Sequence, residues 1–66
     1  MDIWLNGEQR RFDEPLSISA LLEQAGYAQR RVAVEVNQQI VPKSRHPEHL
    51  LAPGDRVEIV HALGGG

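Results

Sequence analysis

Apolar and polar residues alternate at the start of the chain. Met1, Ile3 and Leu5 fall on one side and Asp2, Trp4 and Asn6 on the other, the period of a strand with one buried face. Asn6-Gly7 follows at once, and both central positions of a type I′ hairpin turn require positive φ, which Asn and Gly accept most readily. Glu8 to Phe12 is therefore expected to return antiparallel. A strict two-residue turn puts Arg10 on the same face as Ile3 and Phe12. Either its guanidinium snorkels out at the sheet margin or a bulge shifts the register.

The period then changes. Asp13-Glu14-Pro15 makes a turn, and Ser17 is placed to cap a helix over Ile18 to Ala25, because its hydroxyl can accept from an orphan N–H of the first turn. Ile18, Leu21, Leu22 and Ala25 recur at i, i+3, i+4 and i+7, one apolar stripe to lay on a sheet. Gly26 closes the helix as its C′ residue. Val32, Val34 and Val36 alternate with Ala33, Glu35 and Asn37, a third strand that turns at Asn37-Gln38. Ile40-Val41 is a short strand stopped by Pro42, which cannot donate to a ladder and belongs at an edge. Residues 43 to 52 read as an irregular or single-turn helical connection with Leu50 and Leu51 turned inward. Pro53-Gly54-Asp55 is a turn. The last strand carries Val57, Ile59 and His61 on one face and Glu58, Val60 and Ala62 on the other.

Two strands, a helix and more strands imply that the helix is a crossover between parallel strands, right-handed as such crossovers nearly always are. The economical assembly is one mixed sheet with the helix across one face. The first and last strands pair in parallel at its centre, and the hairpin return and Ile40-Val41 form its edges.

Composition narrows what such a chain can do. Sixty-six residues make one domain near the lower limit at which a core closes without disulfides or metals. A pocket needs rigid walls, and so short a chain spends nearly all its apolar residues on one core, so a self-sufficient catalyst is not expected. The net charge of −2 argues against nucleic acid, whose binders carry a basic face. The pairs Arg10-Arg11 and Arg30-Arg31 read as solvated charge. No cysteine is present, so there is neither a disulfide framework nor a redox motif, which suits a cytoplasmic location. Met1-Asp2-Ile3-Trp4-Leu5 lacks a basic region followed by a long apolar run, so no signal peptide is expected. No stretch is long enough to span a membrane.

The chain closes on Leu63-Gly64-Gly65-Gly66. Chance places three glycines there about 0.03% of the time at average usage, so chance explains them poorly. Glycine lets a backbone pass a narrow cleft, and three extended residues reach about 10 Å, enough to deliver a carboxylate into a partner's active site. The division expected is a domain over residues 1–62 and a flexible tail over 63–66.

With these elements in order, the chain resembles the ubiquitin-like sulfur carriers, and among them the thiamin-biosynthesis sulfur carrier family, ThiS. The resemblance runs over essentially all of the chain. It rests on Asn6 after the first strand, Leu21-Leu22-Glu23 in the helix and Val36-Asn37 before Ile40-Val41-Pro42. It continues through Gly54-Asp55-Arg56-Val57-Glu58-Ile59 and ends at Gly65-Gly66. Molybdopterin carriers share the terminal diglycine but tend to be longer. Gly64 is one glycine beyond the essential pair, and Lys43 stands where an arginine is frequent. The fold implied is α+β, a ubiquitin-like β-grasp with a mixed sheet of four to five strands and one main helix.

The resemblance also implies a chemistry. A carboxylate is an anion at neutral pH and must be activated. A ubiquitin-activating-like adenylyltransferase would adenylate Gly66 with ATP and magnesium. Sulfur from a cysteine desulfurase or rhodanese-type donor would then displace AMP to leave a thiocarboxylate, which donates its sulfur to thiazole synthase for the thiamin thiazole ring. Gly64 and Gly65 keep the approach thin, at about 1 to 2 kcal/mol per residue when ordered on docking. The chain itself would bind no cofactor.

Docking needs a surface. If Ile3, Leu5, Val57 and Ile59 face the helix, Trp4, Val60 and Ala62 point away and Leu63 extends the patch, an arrangement suited to an interface hot spot. Other constellations are weaker. His46 and His49, with Asp55 or His61, lack the three or four preorganised ligands a zinc site requires, and surface or capping roles fit them better. Glu8, Glu23, Glu35 and Glu58 are expected to scatter and form no paired-carboxylate site. Two other classes remain open at this point: a ubiquitin-like protein-conjugating tag or adaptor, which differs from a carrier in its acceptor, and a small nucleic-acid module. A molybdopterin-type carrier is the alternative within the sulfur carriers.

Overall fold

The computed structural model describes residues 1–13 and 15–61. Its elements are β1 (Asp2–Leu5), β2 (Glu8–Arg11), α1 (Ile18–Gln24), β3 (Val32–Val36), β4 (Gln39–Val41), a single 3-10 turn (Lys43–Arg45) and β5 (Arg56–His61). They form one five-stranded sheet in the order β2-β1-β5-β3-β4. β1 and β5 run parallel and the other neighbours antiparallel. This is the ubiquitin-like β-grasp, with the expected edges. Glu14 and residues 62–66 lie outside the described residues, and with them part of the Asp13-Glu14-Pro15 turn, the boundary at 62 and the glycine tail.

Both hairpins turn tightly. Asn6 and Gly7 have φ of 50° and 84°, as a type I′ turn requires. The register is strict, with Ile3 opposite Arg10 and Leu5 opposite Glu8. Arg10 therefore snorkels and no bulge forms; its guanidinium lies 3.6 Å from Glu8 with the side chain about half exposed. The ladder continues past β2, where the Phe12 N–H donates to Met1 C=O at 2.9 Å. The second hairpin uses Asn37 and Gln38 at φ of 52° and 70°. Gln38 holds its left-handed conformation without glycine's freedom, which costs it about 1 to 2 kcal/mol.

Helix α1 is capped at both ends. Ser17 Oγ accepts from the Ala20 N–H at 3.0 Å, and the Ile18 and Ser19 N–H groups donate to the carbonyls of His49 and His46. At the far end the Tyr27 N–H reaches Leu22 C=O at 2.7 Å and the Gly26 N–H reaches Glu23 C=O at 3.3 Å. With Gly26 at φ 89°, these two bonds make a Schellman cap. Ala25 falls just past the helix as its C-cap and still packs on the core.

The core is the layer between α1 and the sheet. Ile3, Leu5, Val34, Val36, Val57 and Ile59 meet Ile18, Leu21 and Leu22, and Leu16 and Leu51 close the cluster. Burying each such side chain is worth about 1.5 to 3 kcal/mol. Leu16 precedes the cap and is buried with Leu21, the two positions of a hydrophobic staple. Leu50 departs from expectation: it is 60% exposed, whereas Leu51 is buried. Ser17 bridges Leu50 and the Leu51 N–H donates to Leu16 C=O, so the segment is locally extended. Successive side chains of extended backbone point opposite ways, and only one leucine can face inward.

Candidate functional site

The residues quoted above as motifs turn out to set the sheet's register. β1 and β5 pair through only two residue pairs, Trp4 with Arg56 and Leu5 with Val57. The chain then turns away at Asn6, whose Oδ1 accepts from the Ile59 N–H at 2.8 Å in place of the backbone acceptor that β1 no longer supplies. Asp55 ties the two turns at the other end. One carboxylate oxygen accepts from Asn37 Nδ2 at 3.0 Å and the other from the Ala52 N–H at 2.8 Å, while Asn37 Oδ1 accepts from the Arg56 N–H. Within that turn Gly54 takes φ 85°, which a side chain would strain.

This register builds the outer face. Alternation puts Asp2 and Trp4 of β1, Arg56, Glu58 and Val60 of β5, and Ala33 and Glu35 of β3 away from α1. Trp4 is 39% exposed and Val60 53%, so both predicted interface residues stand on this open face. Ala62 and Leu63, also assigned to the interface, lie outside the described residues, as do Gly64, Gly65 and Gly66. The Arg56 guanidinium sits 5.9 Å from the Trp4 ring centroid, within cation–π range. Across the same face Val60 is opposite Ala33, and Glu35 is opposite Ile40, which is 63% exposed. At its margin Arg11 Nε donates to Asp2 Oδ1 at 3.1 Å, and this bond holds the Asp2 carboxyl below the usual carboxylate range and raises the Arg11 guanidinium.

Two expectations need correcting. Glu35 and Glu58 do not scatter: they are direct cross-strand partners on the open face. Twenty-two positions separate them in the chain, so only the β3–β5 register brings them together. His46 is not a surface residue; it is 5% exposed, with Nε2 3.0 Å from Val41 C=O. A carbonyl only accepts, so Nε2 carries the proton. His46 and His49 cap α1 through their backbone carbonyls, while exposed His61 meets the Tyr27 ring at 5.9 Å between centroids. Among the described residues no group of three His, Cys, Asp or Glu side chains is placed to hold a metal ion. None of their helices is long and apolar enough to cross a membrane.

Asp2, Ala33, Glu35, Ile40, Arg56 and Glu58 are the members of this face that the sequence pattern did not assign to the interface. Alternation within β3 and β4 was visible; the register that sets β3 against β5 and β4 against β3 was not.

Comparison with known proteins covers the whole of this architecture. Residues 3–66 match the model of the ThiS family. The chain is 44% identical over its full length to a thiazole synthase of Paramagnetospirillum magneticum, of which it spans 20%. It is 30% identical to the sulfur carrier protein ThiS of Escherichia coli, with both chains covered completely. The crystal structure of the thiamine biosynthesis protein ThiS from Geobacter metallireducens superposes with a TM-score of 0.87 at 30% identity, again over all of both chains. A β-grasp whose turn residues Asn6, Asn37 and Asp55 hold its register, matched from Ile3 through the final glycine, places this chain in the ThiS family.

Proposed function

We propose that this chain is a cytoplasmic sulfur carrier of thiamin biosynthesis, with the carboxyl of Gly66 as the group that is activated and loaded. A ubiquitin-activating-like adenylyltransferase uses ATP and magnesium. The Gly66 carboxylate attacks the α-phosphate and pyrophosphate leaves; the terminal sulfur of a persulfide on a cysteine desulfurase or rhodanese-type donor then displaces AMP to give an acyl persulfide, and a thiol cleaves its S–S bond, taking the donor's sulfur into a disulfide and leaving the thiocarboxylate. Thiazole synthase takes that sulfur. The chain contributes the handle and the docking surface and binds no cofactor of its own, while catalysis belongs to its partners.

The family match through residue 66 is the observation that carries this reading, because it includes the glycines on which the chemistry depends. The thiazole synthase relatives, each aligned over the full length of this chain and only a fifth of their own, support thiazole synthase as the acceptor. The outer face supports the docking role: Trp4 of β1 and Val60 of β5 lie exposed on it, residues 62–66 continue from β5, and the interface is assigned to Trp4, Val60, Ala62 and Leu63. Gly64 and Gly65 thread the partner's active-site entrance.

The test is to incubate the chain with its host's activating enzyme, ATP and a sulfur donor and to read the intact mass. Replacement of one oxygen by sulfur at Gly66 is the expected product. An isopeptide adduct on protein lysines assigns the chain to protein conjugation instead. If neither a thiocarboxylate nor an adenylate forms, and a chain lacking Gly65 and Gly66 still complements thiamin auxotrophy, the carrier reading fails.

A further inference from the structure

On the helix side of the sheet, a groove of about 440 Å³ opens between the segment after α1 and the 3-10 turn, lined among others by Tyr27, Arg30, Arg31, Val32, Lys43 and His46. Three of the seven cationic side chains of a chain with net charge −2 line this one hollow, and no acidic residue does. Glu23 lines only the adjoining hollow, which shares Lys43. Concentrated charge of one sign in a concave site raises the local potential and selects partners of opposite sign.

The groove lies at the end of β5. Val32 is paired with His61, and the Tyr27 ring touches His61. Five residues follow His61, and an extended chain of five spans at most about 17 Å. A carrier whose last residue is inserted in an active site therefore holds this groove against the entrance, not against the nucleotide within. We propose that the groove seats an acidic protein surface at the mouth of the activating enzyme's channel, with Arg30 and Lys43 as its principal contacts. This rests on the carrier reading above and adds to it the chemistry of the partner's surface. The Glu35–Glu58 pair, midway along β5 on the outer face, and the cationic groove at the end of β5 on the helix side then put opposite charge on the two sides of the sheet. A partner can read that asymmetry as orientation, since complementary rim charges set encounter and register more than affinity.

The experiment measures adenylation by the host activating enzyme with the full chain as varied substrate. Arg30→Glu combined with Lys43→Glu raises the KM for the carrier about tenfold, since rim charges act on encounter, while kcat and the KM for ATP stay within about twofold. Raising the salt weakens the wild-type chain more than the double variant. Both side chains are exposed, so an unchanged thermal midpoint separates lost docking from lost fold. A wild-type chain that is adenylated with the same KM as the double variant overturns the groove and leaves the carrier reading standing. A raised KM for ATP alone means that the groove meets the nucleotide and overturns the proposal. A wild-type chain that is never adenylated overturns the carrier reading, and the proposal with it.

Discussion

The two faces of this sheet are made by alternate residues of the same strands, yet they obey different rules. On the inner face Ile3, Val34 and Val57 are buried to 1% exposure or less beneath α1. On the outer face Trp4, Ile40 and Val60 stay open to solvent beside two glutamates held opposite each other. Inner residues are constrained by volume, because a packed interior feels the loss of even one methylene. Outer residues contribute little to folding, and like charges facing across strands work against it.

The largest expected effect breaks the inner face. Leu21→Ala empties a fully buried site and costs about 2 to 5 kcal/mol, a large part of the total of about 3 to 10 kcal/mol for a domain of this length. Urea denaturation reads it directly. Ile40→Ala on the outer face costs less than about 0.5 kcal/mol in the same assay, and equal losses at both sites abolish the distinction between the faces.

Next in size, Val60→Asp leaves the denaturation midpoint nearly unchanged and slows adenylation by the activating partner about tenfold, the loss of one moderate hot spot. Unchanged rates place the docking surface elsewhere. Smallest, Glu58→Gln removes the facing like charge and stabilises the domain by about 0.2 to 1 kcal/mol at low salt. The gain fades toward about 1 M salt, where screening acts within about 3 Å; a gain independent of salt would trace to something other than the Glu35–Glu58 pair.

Local signals were legible wherever one element decided the outcome. Asn6-Gly7, Ser17 and Gly26 announce a turn, a cap and a stop because each acts on its own backbone or on residues within one turn, and the structure places them so. The burial of His46 was not legible, since it depends on Val41 C=O and on α1, which the loop meets only in the folded chain. Leu51 was read correctly as inward and Leu50 was not, because adjacent apolar letters hide the direction in which extended backbone sends each one. The outer face was half legible: Trp4 and Val60 follow from alternation, but their neighbours Ala33, Glu35 and Ile40 follow from register alone.

The sequence by itself determined the identity and order of the elements, the inward stripe of each, and the glycine run matched by the ThiS family, because periodicity and turn chemistry are written in short windows. The tertiary structure decided which residues distant in the chain share a surface. Five strands can pair in many ways until long-range hydrogen bonds choose. Here bonds such as the one from the Ile59 N–H to Asn6, with Asp55 tying Ala52 to Asn37, bring Glu58 to Glu35 and set His61 beside the groove of Arg30 and Lys43.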